Sequence, residues 1–281
     1  MKTFSRQPAA EERLVSVPCV MCGLDAARPY WDCGAYRFVR CSRCGHVYQN
    51  PQPVFDDLKL RYDEQYFSYE LDNAEPYYRL MQLGLRDLGF FEHERQLRNR
   101  GAFLDIGCAT GVLLQRMQRR GWSVQGIEIC EPAARYAIQN RGVAVHLGPI
   151  EQAPFAGSSF AAIHCSHVIE HLPDPRLFLQ HILRLLLPGG LVVIVTPDRS
   201  GFQARLFGSR WRSAIADHVH LFSSRQLCDL LQQSGFAVLR KRSWGGLAAA
   251  SAPPWLKRPV DRLAKRANVG DVCAILAQKP Q

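Results

Sequence analysis

The sequence predicts a doubly wound α/β domain preceded by a small metal-type module, on three observations. Short apolar runs alternate with amphipathic helical stretches over most of the chain after residue 100. A glycine-bearing turn, Gly107 to Gly111, joins the first of those runs to the first of those helices. Two Cys-x2-Cys pairs stand near the start, where no such alternation is seen. The 281 residues suffice for one large domain and one small one.

Taken in order, residues 1–60 read as a zinc-binding module rich in Cys, Gly, Pro and aromatics, with short elements. Residues 61–100 read as a helical connection, and "EPYYRLMQLGLRDLGFFEHERQLRNR" (75–100) has the spacing of one long helix. Residues 101–281 form the large domain. Its runs "AFLDIG", "SVQGIEI", "VAVHLG", "FAAIHCS" and "GLVVIVT" are expected as buried parallel strands. Helices are expected between most of them, at Val112–Arg120, Pro132–Asn140 and Pro175–Leu187. "SSRQLCDLLQQSGF" opens on serine caps and stops at Gly235, so it reads as a further helix. "AVLRKRSW" and "DVCAILAQK" are the last two strands, and 200–222 and 245–269 are irregular insertions.

Composition is that of a globular chain, 47% hydrophobic and 21% charged. No run approaches the ~18 apolar residues of a membrane span, and the opening residues lack the apolar stretch of a leader. A cytoplasmic location is expected. The net charge of +10 is uneven, since residues 201–281 hold 13 basic and 4 acidic side chains. Such a region is a solvated basic face or a grip for nucleic acid, anionic lipid or a phosphorylated substrate. In "PPWLKRPVDRLAKRANVG", Trp255, Leu256, Val260, Leu263 and Ala264 recur at roughly helical spacing among basic residues. That suggests peripheral membrane contact through 253–266.

Cys19, Cys22, Cys41 and Cys44 form two pairs, each followed by glycine. Four thiolates so spaced close a tetrahedral Zn2+ site with no open position, hence a structural one. A thioredoxin-like redox pair is the rival, but no βαβ pattern surrounds the cysteines. The other six cysteines lie scattered, most in apolar runs, and nothing asks for an oxidising compartment.

In "FLDIGCATGVLLQ" the glycine spacing departs from GxGxxG. Asp105 before the first glycine would repel a pyrophosphate and suits a ligand carrying ammonium and sulfonium charges. S-adenosylmethionine is such a ligand. Glu128, ending "GIEI", is placed to take two ribose hydroxyls.

"LDIGCATG", "GIEI", "APFAGSSFAAIHCSHVIEHLPDP", "LLLPGGLVVIVTPD" and "DHVHLFSSRQLCDLLQQSGF" follow one another as in class I S-adenosylmethionine-dependent methyltransferases, which residues 101–281 resemble. The resemblance implies a Rossmann-like sheet of seven strands with the last antiparallel. It implies a cofactor pocket of Asp105, Gly107, Cys108, Gly111, Glu128, Ile150 and Ser166, with Ala109 and Ile129 alongside. Ala109 stands where the family often has glycine. Pro149 stands where an acid often meets the adenine amine, so that contact passes to Ile150 or Glu151. The cysteine module, with "CGHVYQNPQP" and "YDEQYF", resembles that of deoxysugar C-methyltransferases.

"SHVIEHLPDP" places His167, Glu170 and His171 at i, i+3 and i+4. The pattern is also that of inverted zinc proteases, but no glutamate follows Glu170 to complete such a site. Three roles remain. His171 is a general base tuned by Glu170, as the sugar enzymes' Glu-His pair implies. Alternatively His167, Glu170 and His171, with His218 or His220, hold a divalent cation, as in quinone-pathway O-methyltransferases and small-RNA terminal-ribose methyltransferases. Or Glu170 braces the loop. The base is the favoured reading, with Tyr66, His218 and His220 as candidate substrate contacts. The expected activity is methyl transfer to a hydroxyl or activated carbon of a small or lipid-linked acceptor, a sugar or quinone-like ring. The alternative is an RNA methyltransferase whose zinc module and basic C-terminal region grip phosphates.

Overall fold

The computed structural model describes residues 12–97, 101–245 and 269–281. The cysteine-rich start forms β1 (Leu14–Val15), β2 (Ala27–Asp32), β3 (Arg37–Cys41), β4 (Val47–Gln49) and β5 (Gln52–Pro53). β2, β3 and β4 pair antiparallel in that order, and β1 pairs with β5. Gly23 and Gly45, after the two cysteine pairs, take φ of +74° and +70°, a left-handed conformation that costs glycine no Cβ clash. Each knuckle thereby closes on itself: Gly23 N donates to Cys19 O at 2.7 Å, and Gly45 N to Cys41 O at 3.1 Å.

Helices α1 (Phe55–Lys59), α2 (Glu64–Asp72), α3 (Ala74–Asp87) and α4 (Phe90–Glu94) follow. Asp63 caps α2, its carboxylate accepting from the backbone N–H of Gln65 and Tyr66. The single helix expected over 75–100 is instead α3 and α4, divided at Gly89 with φ +71°; residues 98–100 lie outside the described residues. The break turns Phe90 inward, where its ring meets Phe103 and Trp122.

The large domain runs β6 (Ala102–Ile106), α5 (Val112–Arg119), β7 (Ser123–Glu128), α6 (Glu131–Arg141), β8 (Ala144–Leu147), β9 (Phe160–Ser166), α7 (Pro175–Leu185) and β10 (Leu186–Pro197). Then come α8 (Phe202–Phe207), β11 (His220–Leu221), α9 (Ser224–Gln233), β12 (Ala237–Trp244) and β13 (Val272–Gln278). The sheet order is β12-β13-β10-β9-β6-β7-β8. β13 is antiparallel to both neighbours, and the other pairings are parallel. This is the doubly wound, Rossmann-like seven-stranded sheet. All five predicted apolar runs are strands, and β9 and β10 are buried on both faces by helices packed on either side. One core layer joins them to Phe178, Ile182 and Leu230 of α7 and α9, the other to Leu85, Leu114 and Met117 of α3 and α5.

The strand order reverses between β6 and β9. In such sheets the crevice beyond the strand ends at this point is where ligands bind, and both the glycine turn and the HVIEH loop open onto it. Within 200–222, β11 leaves the large domain and pairs antiparallel with β4, His220 opposite Tyr48. The small sheet is therefore four-stranded, β11-β4-β3-β2. The stretch 253–266, expected from the sequence to contact a membrane, lies outside the described residues, as does 246–268 of the second insertion. Among the described residues no helix is long and apolar enough to cross a membrane.

Candidate active site and metal centre

The turn after β6 is fixed by its neighbours. A Cβ on Gly107 (φ +72°) would lie 2.5 Å from Val168 Cγ2, so glycine lets this turn touch the HVIEH loop. Glu128, ending β7, turns its carboxylate back onto the turn. Its Oε1 accepts from the N–H groups of Ile129 (2.9 Å) and Cys130 (2.8 Å), and its Oε2 from Ala109 N (2.7 Å). Burial pushes the Glu128 carboxyl up while those amides draw it down. Asp105 accepts from His164 Nδ1 at 2.7 Å; burial pushes its carboxyl up as well, against the pull of His164. Cys108 and Ile150 are buried, Glu151 is exposed, and Ser166 ends β9. Gly148 N donates to Glu128 O at 2.9 Å, which ties the Ile150–Gln152 turn to the end of β7. Asp105, Gly107, Cys108, Ala109, Gly111, Glu128 and Ile129 thus adjoin across β6 and β7, with Ile150 and Glu151 on the next turn.

α2 adds a third carboxylate. Burial, then the charge of Glu128, pushes Glu70 up to about 7, with His167 pulling the other way. Asp105, Glu128 and Glu70 thus bring three carboxyl groups close to the glycine turn. That donor set fits a cationic ligand such as S-adenosylmethionine and disfavours a phosphate.

The HVIEH segment is not an α-helix. His167 has φ +56°, and Ile169–His171 is one 3-10 turn. The three side chains still converge: His167 Nδ1 donates to Glu170 Oε1 at 3.1 Å, and Thr196 Oγ1 to Glu170 Oε2 at 2.9 Å. Burial alone would raise the Glu170 carboxyl; the His167 hydrogen bond and the nearby imidazoles hold it at about 2. His171 Nδ1 donates to Asp217 O at 2.8 Å, and His218 Nδ1 to Ser213 O at 2.8 Å. A carbonyl only accepts, so both rings carry hydrogen on Nδ1 and, when neutral, present a bare Nε2. Burial, then the neighbouring His171, lowers His218 to about 3, so His218 is neutral. Ligand atoms of Glu170, His171 and His218 lie within 4.8 Å of one another.

The remaining candidates divide. The Tyr66 ring packs edge-on to Tyr62 at 4.9 Å, and Tyr62 packs edge-on to His171 at 6.2 Å, which sets α2 beside the cluster. His220 lies instead in the small sheet, where β11 meets β4 and the loop after the HVIEH turn. His46 Nε2 lies 3.1 Å from His220 Nδ1, and His220 Nε2 lies 3.5 Å from Pro173 O. Sequence reasoning missed Tyr62, Glu70, Thr196 and Asp217, and also Arg61, which donates to Asp217 Oδ1 at 2.5 Å. Tyr62 opens "YDEQYF", where a motif was visible; nothing in the sequence pairs Arg61 with a residue 156 positions away.

The four cysteines converge. Cys19 Sγ stands 3.5 Å from Cys44 Sγ, and Cys22 Sγ 3.5 Å from Cys41 Sγ, all four within 4.8 Å. A Zn–S tetrahedron with bonds of about 2.3 Å has edges of about 3.8 Å, so the donor set fits a tetrahedral metal. Cys33 is apart, its Sγ directed to Ser209 O. The large domain grips both knuckles: Arg176 donates to Val20 O and Met21 O, Gln226 to Cys44 O, and Arg199 to Gly45 O.

The family model described as a methyltransferase domain matches residues 77–241. A ubiquinone biosynthesis O-methyltransferase of Aeromonas salmonicida is 30% identical over 148 residues, covering 48% of this chain and 62% of that protein. One of Pseudomonas aeruginosa is 37% identical over 103 residues, covering 34% and 44%. The chain therefore spans about half the length of the curated relatives it matches. A solved SAM-dependent methyltransferase of Thermotoga maritima superposes at a TM-score of 0.52 and 20% identity, over 76% of this chain and 98% of that one. That likeness speaks to the fold. With more than half of its residues matched and the strand order in place, the chain belongs to the methyltransferase domain family.

Proposed function

We propose that this protein transfers the methyl group of S-adenosylmethionine to a hydroxyl of a small or lipid-linked ring acceptor, with His171 as general base. The observation that carries the reading is the His171 tautomer. Its Nδ1 proton is committed to Asp217 O, which leaves Nε2 to take the acceptor's hydroxyl proton. The cofactor supplies an electrophilic methyl carbon, on which the acceptor oxygen replaces the sulfonium sulfur. Glu170, ionised and buried beside the imidazole, stabilises the imidazolium that proton transfer leaves. Tyr62 and Tyr66 wall the site on the α2 side, where excluded water strengthens that interaction. The O-methyltransferase names of the curated relatives favour oxygen over carbon as the accepting atom. The four cysteines hold structural zinc in the same reading, since they leave no open position.

A second reading is favoured by the convergence of Glu170, His171 and His218. In that reading these residues would hold a divalent cation, which would supply Lewis-acid polarisation of the acceptor hydroxyl. One experiment separates the readings. Methyl-labelled S-adenosylmethionine is supplied with a panel of catechol-type phenols and with organic-soluble cell extract, before and after mild chelation. The base reading expects turnover that survives chelation and falls at least about 10²-fold in His171→Ala, with cofactor affinity unchanged. Turnover lost on chelation and restored by added cation establishes the second reading. Full turnover in His171→Ala ends both.

A further inference from the structure

The loop that sets His171 is itself held by the cysteine lobe. Gln49, the last residue of β4, is 2% exposed. The two hydrogens of its Nε2 are donated to Ala216 O (2.8 Å) and His218 O (2.9 Å), with Ile215 O (3.3 Å) sharing one of them, and its backbone N–H donates to Val219 O at 2.9 Å. The segment so gripped contains Asp217, whose carbonyl accepts the hydrogen bond from His171 Nδ1, and His218. Few side chains suit this place. A carboxylate would face three carbonyl oxygens with no donor, and an apolar group would leave them unpaired in a buried site. Other contacts hold the segment as well: Tyr36 Oη donates to Ala214 O at 2.7 Å just before it, and Arg61 binds the Asp217 carboxylate, though neither touches a carbonyl within it. Among the described residues, only Gln49 reaches the carbonyls on both sides of Asp217. Its amide thus fixes the direction of the peptide that orients the imidazole.

We propose that Gln49 is a positioning residue for the transfer site: by holding the 215–219 backbone it fixes the His171 tautomer and the place of its Nε2. The inference rests on the reading of that site as the place of transfer, and it serves the base and the cation alike, since both need a bare Nε2. It also gives the lobe a task besides folding, because β4 lies between the cysteine knuckles and the reacting groups.

The test reads the tautomer directly. Long-range 15N–1H spectra of the histidine rings, assigned with His171→Asn, are compared between the full-length zinc-loaded protein and Gln49→Met, which keeps the volume and removes the donors. Wild type should show His171 with hydrogen on Nδ1. Gln49→Met should show His171 averaged between tautomers, with His164, held by Asp105, unmoved. Gln52→Met is the control: it removes another buried amide of the lobe, one whose nitrogen has no partner among the described residues, and should leave His171 as in wild type. Where an active acceptor is found, kcat/KM for it should fall about 10²-fold, as misplacement by an ångström does, with cofactor Kd within about twofold. If Gln49→Met fails to fold, Gln49→Asn, which withdraws the amide by one methylene, replaces it. A folded variant with the wild-type His171 signal overturns the proposal. His171→Ala with full activity would instead refute the function reading and leave the tautomer result standing.

Discussion

Ala109 donates its backbone N–H to the Glu128 carboxylate at 2.7 Å from a left-handed conformation, φ +45°. The hydrogen bond to a charged acceptor offsets a backbone strain of about 1–2 kcal/mol that any residue with a Cβ bears there. Ala109→Gly should therefore keep the bond and shed the strain. The expected gain is up to about 1 kcal/mol, reduced by the added freedom of glycine in the unfolded chain. Urea denaturation measures it; a loss of stability would show that the alanine methyl packs productively.

The sulfur spacing makes a prediction about metal. The purified protein should carry one zinc ion per chain, and Cys41→Ser should lose it together with the cooperative unfolding of the lobe. Structural zinc in isolated fingers supplies about 10–16 kcal/mol. Here Arg176, Gln226 and Arg199 also grip the knuckles, so the large domain should stay folded. Elemental analysis and a two-step melt check this. Metal-free wild-type protein with an unchanged melt would remove zinc from the account.

Glu70 predicts a pH dependence. Its carboxyl is pushed from 4.5 up to about 7, so the folded state holds this proton more tightly than the unfolded one. The stabilisation is complete below about pH 4.5 and is lost as pH rises through 7. Glu70→Gln, a mimic of the protonated form, should match wild type near pH 4. Near pH 8 it should exceed wild type by up to about 3 kcal/mol. Urea midpoints at the two pH values decide it; an equal difference at both would mean that Glu70 does not titrate in this window.

Much of the large domain was legible because its signals are local. The runs from "AFLDIG" to "GLVVIVT" are strands β6 to β10, and Gly107 and Glu128 sit at strand ends where the alternation puts them. The long helix was misread because Gly89 looks like any glycine in a helical pattern until its +71° φ is seen. His167, Glu170 and His171 were grouped by a helical spacing that the chain does not adopt, yet the group forms through a tight turn and Thr196. What the sequence hid is pairing at a distance. Gln49 and His218 are 169 positions apart, and neither residue type announces such a bond.

The pairing of β4 with β11 has a consequence on the ribosome. His46 and His220 lie 174 positions apart, so a nascent chain can close its cysteine knuckles early, but it cannot complete the small sheet until the second strand has emerged. Contacts of such separation form late, after the loop between them has been organised. Until then His46, Tyr48 and Gln49 lack the partners that β11 and the segment before it supply. The lobe at the start of the chain is thus among the last parts to be finished, and the seat of His171 is completed with it.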